Sequence, residues 1–142
     1  MTLILDASMA LSWLLKRNDP VESARSGQAM ALVRDAGATV PALWYPEVAN
    51  ALLLAERQRV ITAEQTTDFL SSLSLWEIMQ DIVHPALSQA QVTHLGRAYK
   101  LTAYDATYME LAMRRSATLA TFDRKLADAA RAAGVRVFGD AA

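Results

Sequence analysis

Apolar positions along the chain fall into two patterns. Short continuous apolar runs bounded by charged or turn-forming residues read as strands buried on both faces. They lie at 2–6, 38–41, 76–83, 117–121 and 135–138, and in the third Ile78 and Ile82 are expected to face inward. Longer segments carry apolar residues at helical spacing, at about 8–16, 21–34, 44–57, 62–73 and 88–99. Two more helices follow, one opening at about Asp105 and one running from just past Asp123 to about Ala133. Pro20 suits a first helical turn, and Gly37 and Gly134 suit helix ends. Thr62-x-x-Gln65 and Ser88-x-x-Gln91 both have the capping-box pattern. The tail from Gly139 is expected to fray.

Strands alternating with helices imply an α/β protein, a three-layer α/β/α sandwich. Its central, mostly parallel sheet has about five short strands, with helices on both faces. The segment at 44–57 stands apart. Val48, Ala49, Ala51, Leu52, Leu53, Leu54 and Ala55 leave it almost no polar face, so it is buried all round or pairs with another chain. Glu47 and Asn50 are its polar exceptions, and their spacing of three places them on neighbouring turns of one face. A carboxylate among so many apolar groups is costly unless paired or bound to a cation.

Composition narrows the classes. With 142 residues, 53% apolar and 20% charged, the chain is expected to form one compact domain over 1–142. It holds no cysteine, which excludes disulfides and thiolate zinc sites and fits a reducing cytoplasm. No basic segment precedes an apolar stretch at the N-terminus, and no apolar run reaches membrane-spanning length, so a cytoplasmic protein is expected. The net charge of −1, from 14 Lys+Arg against 15 Asp+Glu, argues against nucleic-acid binding by bulk positive charge. A polyanion would need local basic clusters or bound cations.

Four acids share a structural address. Asp6 follows the first strand, Glu47 opens the helix after the second, Asp105 opens a helix and Asp123 follows the fourth strand. Parallel strands bring such positions to one carboxyl edge of the sheet. Each aspartate alone reads as well as a helix cap. Together, four carboxylates repel unless a cation lies between them, and all-oxygen ligands select Mg²⁺ or Mn²⁺. One or two such ions point to phosphoester hydrolysis. A P-loop is absent; an aspartyl-phosphate phosphatase would want an acid where Ser8 stands. A phosphate-binding receiver module would want a lysine after a late strand, where Val137-Phe138-Gly139 stands.

The blocks Leu5-Asp6-Ala7-Ser8, Pro46-Glu47-Val48-Ala49-Asn50, Tyr104-Asp105-Ala106-Thr107-Tyr108 and Thr121-Phe122-Asp123-Arg124-Lys125 resemble, in order and over nearly the whole chain, those of the PIN-domain ribonucleases. Among these they look most like VapC-type toxins. The resemblance implies a PIN-like fold and a metal-dependent endoribonuclease acting on structured RNA, restrained by a VapB-type antitoxin. It also implies that Asp6, Glu47, Asp105 and Asp123 bind Mg²⁺ or Mn²⁺ and carry catalysis, and that the protein is a homodimer. The alternative within this fold is a regulatory protein acting mainly by partner binding. Thr121, Ser8 and Asn50 are candidates to support the acids, with helix capping as the rival role for Ser8 and a bond within its own helix for Asn50. Lys16, Arg17, Arg124 and Lys125 are candidate RNA phosphate contacts. His84, before a proline, and His94, on a helix, are not expected to touch chemistry, Tyr104 and Tyr108 read as packing, and the Arg114-Arg115 pair reads as a solvated face.

Overall fold

The computed structural model describes residues 2–141. Its centre is β1 (Leu3–Leu5), whose three residues are all buried. It pairs in parallel with β2 (Ala38–Val40) on one side and with β4 (Thr118–Ala120) on the other. The edge strand β3 (Ile78–Gln80) pairs in parallel with β2. The strand order is therefore β3-β2-β1-β4. Register along β1 and β4 matches Leu3 with Thr118, Ile4 with Leu119 and Leu5 with Ala120. Strands this short, covered on both faces, need the continuous apolar runs seen in the sequence.

Seven helices connect these strands: α1 (Ala7–Leu11), α2 (Pro20–Ala36), α3 (Trp44–Arg57), α4 (Ala63–Leu73), α5 (Pro85–Tyr99), α6 (Ala103–Arg114) and α7 (Arg124–Ala132). The chain steps outward from β1 to β2 to β3, then returns across the sheet to β4. Right-handed crossovers in opposite directions place helices on opposite faces, which gives the three layers. Helix α6 lies against β1 and β4 and is itself flanked by α5 and α7, while α1 packs with α2 and α3. The reversal occurs between β1 and β4. In α/β sheets the crevice beyond the carboxyl ends of such a strand pair is where ligands bind. Among the described residues no helix is long and apolar enough to cross a membrane.

Several local expectations are corrected. The expected fifth strand at 135–138 is a single parallel bridge from Val137 to Leu119, held by Leu119 N–H to Arg136 O and Phe138 N–H to Leu119 O. The third strand stops at Gln80, and Ile82 is 91% exposed instead of inward-facing. Residues after Leu11 form turns instead of a helix reaching residue 16. Helix α5 starts at Pro85, with the His84 ring accepting from Ala86 N–H, and Ser88 bonds back to Pro85 O, so Ser88-x-x-Gln91 is not a cap. Thr62 and Gln65 do form a reciprocal capping box. The tail is not loose as far as Asp140, whose carboxylate takes two hydrogen bonds from Arg131 at 2.7 and 2.9 Å. The last expected tail residue, Ala142, lies outside the described residues.

Arg114 is more than a solvated charge. Its guanidinium holds Asp81, just after β3, at 3.1 and 2.6 Å and Glu110 on its own helix at 2.8 Å. Arg115 adds a bond to Asp81 at 3.2 Å. Burial works to raise the pKa of Asp81, but the bonds from Arg114 and Arg115 outweigh it and hold the carboxyl below its ordinary value. The cluster ties the sheet edge to α6. Arg114→Ala is expected to destabilise the protein by about 1.5–3 kcal/mol in urea unfolding, because it leaves two sheltered carboxylates without their donor. Adding Asp81→Asn to that variant should recover part of the loss, and strictly additive effects would refute the coupling.

Candidate functional site

The crevice is built from the turn after β1 and the turn after β4. Asp6 leaves β1 with its N–H bonded to Ala120 O at 3.0 Å and is buried, with 6% of the residue exposed. It stands at the start of α1 but makes no side-chain cap. Its Oδ2 instead accepts from the Ser8 hydroxyl and from the Thr121 hydroxyl, both at 2.6 Å. Each hydroxyl is held in turn: Ser8 Oγ accepts from Phe122 N–H at 2.9 Å, and Thr121 Oγ1 accepts from Asp123 N–H at 2.9 Å. The two turns are thereby joined into one unit. Thr121 does this because an extended chain places it on the same side as Asp123.

Glu47, in the first turn of α3, receives a hydrogen bond of 2.5 Å from the Tyr108 hydroxyl. Tyr108 is fully buried on α6, so this bond links helices sixty-one positions apart in the chain. Asp105 lies in the first turn of α6, whose cap is Thr102, the acceptor for Asp105 N–H at 3.1 Å. Asp123 caps α7 through Leu126 N–H to Oδ1 at 3.0 Å. Its Oδ2 makes no hydrogen bond among the described residues.

The acids affect one another. Burial, then repulsion from Asp123, raises the pKa of Asp6 against the opposing bonds of Ser8 and Thr121. Glu47 is raised by burial and by Asp6 and Asp105, with Tyr108 opposing. Asp105 is pushed up to about 6 by burial and then by Asp123 and Asp6, with Lys125 the nearest counter-charge. Burial and the neighbouring carboxylates also keep the Tyr108 hydroxyl protonated, as a donor to Glu47. Yet among the described residues no three acidic or histidine side chains close around one point as a preformed cage would. Asp6, Glu47 and Asp123 each have an oxygen engaged by a protein donor instead.

The donor set fits a hard divalent cation. It is carboxylate oxygen throughout, partly desolvated and mutually repelling, and no histidine or cysteine contributes. The other candidates divide. Thr121 and Ser8 touch Asp6 directly. Asn50 is exposed on α3 and makes no side-chain hydrogen bond among the described residues. Arg17 lies 4.3 Å over the Phe122 ring and pairs with Glu22 at 3.3 Å. Arg124 and Lys125 are exposed at the start of α7, and Lys16 is exposed after α1. Tyr108 is the residue the sequence reading missed. Its spacing from Tyr104 suggested packing, and nothing local announces a partner on α3.

Comparison with known proteins agrees with this geometry. The pattern of the family described as PIN domain matches residues 3–132. The chain is 34% identical over 131 residues to VapC ribonuclease Mb0985 of Mycobacterium bovis, covering 92% of both chains. It is similar to the same extent, 34% over 131 residues and 92% of both, to ribonuclease VapC9 of Mycobacterium tuberculosis. The fold superposes on the crystal structure of PAE2754 from Pyrobaculum aerophilum with a TM-score of 0.66 at 18% identity, over 97% of this chain and 90% of that one.

The raised acids fix the sign of a pH dependence. In that state the folded protein binds protons more tightly than the unfolded chain, so ionisation of Asp105 costs stability above about 6 and protonation relieves it as pH falls toward 3.8. In chelator, the melting temperature should therefore rise from about pH 7 to about pH 5, and the rise should be smaller in Asp105→Asn. Below about pH 4 the trend should reverse, as Asp81 and Asp140, both held below their ordinary values, lose their arginine pairs. A melting temperature that falls steadily from neutral pH would contradict the repulsion.

Proposed function

The chain belongs to the PIN domain family, among the VapC ribonucleases, and from that premise we propose that it is a metal-dependent endoribonuclease, the toxin of a VapBC-type toxin–antitoxin pair. One observation carries the reading: Asp6, Glu47, Asp105 and Asp123 share the carboxyl edge of the sheet closely enough to repel one another. These four residues would hold Mg²⁺ or Mn²⁺, as one or two ions. When bound, such an ion polarises a phosphodiester and supplies a nucleophile at neutral pH.

The chain's own groups prepare that chemistry. Ser8 and Thr121 bond to Oδ2 of Asp6 and fix its orientation. Tyr108 does the same for Glu47. Thr102 and Lys125 both favour the ionised form of Asp105. Lys16, Arg17, Arg124 and Lys125 are proposed to meet RNA phosphates, with Arg17 held in place by Phe122 and Glu22. A homodimer is proposed through α3, where Leu53 and Leu54 remain 46% and 50% exposed. Helix α4 does not cover them. The antitoxin is proposed to lie in or beside the acidic groove, presenting an apolar helix and an arginine to the carboxylates.

Asp6→Asn and Asp105→Asn are each expected to abolish cleavage of total RNA in Mg²⁺ while keeping the fold. Thr121→Val, which keeps the shape and loses the bond to Asp6, should lower activity or metal affinity about 10–100-fold. Mg²⁺ at 100 times its Kd should add about 2.7 kcal/mol to wild-type stability and nothing to the double aspartate variant. Wild-type cleavage by purified Asp6→Asn would overturn the site. For the assembly, light scattering should give the mass of two chains, and an active species of one-chain mass would remove the dimer.

A further inference from the structure

The four acids have two flanks of different chemistry. Toward β3 and α5 lies an apolar groove with Pro41, Leu43, Val83 and Tyr104 in its wall, and its arginine, Arg114, is fully occupied by Asp81 and Glu110. Toward α2 and α7 lies a polar cleft of about 440 Å³ that begins at Thr121 and Asp123. Arginines from both helices reach it: Arg25 from α2, Arg124 and Arg131 from α7. Its acids are mostly engaged. Asp19 caps α2 through Glu22 N–H at 3.0 Å, Glu22 pairs with Arg17 at 3.3 Å, and Asp128 pairs with Arg131 at 3.1 Å. Arg25 and Arg124 form no ion pair among the described residues.

Arg25 runs beside the C-terminal turn. The C-terminal turn is closed by the two bonds from Arg131 to Asp140. Within that turn Gly139 has φ of +95° and lies so close to Arg25 that a Cβ there would fall on its Nε and within 2.8 Å of its Cδ. A side chain in the glycine's place would push the end of the arginine aside. The planar fork of a guanidinium matches a phosphate.

We infer that Arg25 and Arg124 are phosphate-contact residues along which the RNA backbone leaves the acidic centre, through the cleft between α2 and α7. The inference rests on the ribonuclease reading and adds the path of the substrate. A polyanion crossing four carboxylates needs unpaired cations beside them, and this flank supplies two. The lining of the opposite groove supplies no unpaired arginine or lysine among the described residues.

The test is the salt dependence of binding to a fluorescein-labelled oligouridine, in Mg²⁺, in an Asp6→Asn background so that the probe survives. Each phosphate contact removed from a single strand should lower the slope of log K against log salt by about 0.7. Arg25→Ala and Arg124→Ala should each show that drop, and together about twice it. Arg97→Ala, which makes the same charge change on α5, should leave the slope as it was. Equal drops in all the arginine variants would reduce the effect to net charge and overturn the path, as would no drop in Arg25→Ala and Arg124→Ala. A background protein that binds no RNA would remove the ribonuclease reading itself. Binding that is normal yet indifferent to both arginines would remove only the path.

Discussion

The carboxylate of Asp6 has to be kept dry, oriented and close to other acids, and much of the structure follows from meeting those demands. It sits where β1 ends between two neighbours, with the burial of a core residue and the charge of a surface one. Left alone, such a group would take up a proton or draw in water. Ser8 and Thr121 resolve the conflict by donating to one of its oxygens. Because the same hydroxyls accept from Phe122 and Asp123, the bonds that hold Asp6 also shape the turn that delivers Asp123. Sheet register and site geometry are therefore one problem: slipping β4 by one residue against β1 would move Thr121 to the other face and leave Asp6 unsupported.

The second acid pair is assembled by different means. Glu47 and Asp105 lie on helices, which packing can shift as rigid rods. The hydroxyl of Tyr108 removes that freedom. It stands one turn after Asp105 on α6 and bonds to Glu47 on α3, so each helix sets the position of the other's carboxylate. A buried phenol is well suited to the task, since its neighbours keep it protonated and it cannot add to the negative charge. The β1 and β4 turns and the α3 and α6 helices thus bring acids from four parts of the chain to one edge.

The acids were legible in the sequence because strand ends and helix starts are legible. Leu-Ile-Leu before Asp6 and Thr-Leu-Ala before Thr121 have the continuous apolar character that a doubly covered strand requires, and the carboxyl-edge rule then supplies the address. Tyr108 and Arg114 were not legible. Their roles depend on partners at Glu47 and Asp81 that only the crossover topology brings near. The errors at Ile82 and in the strand at 135–138 share one cause. Period and apolar content mark what can be buried, but a chain at a sheet edge has a neighbour on one side only and stops pairing early. At Ser88 the capping pattern was real but lost to Pro85, which fixes its own backbone at a helix start four residues earlier and leaves His84 to cap.

A protein of net charge −1 that handles a polyanion cannot rely on long-range attraction. Its cations have to be placed, and placement is costly for a long flexible side chain unless something packs against it. That is the difference between Arg124, which projects from the start of α7, and Arg17, which is braced. Arg17 lies across Phe122, the residue between Thr121 and Asp123, so any movement of the turn that carries the acid moves the arginine with it. Arg25 runs beside Gly139, in a turn clasped by Arg131 and Asp140, where a side chain in the glycine's place would push the end of the arginine aside. The C-terminal segment therefore does more than close the fold: it borders the flank of the acidic centre.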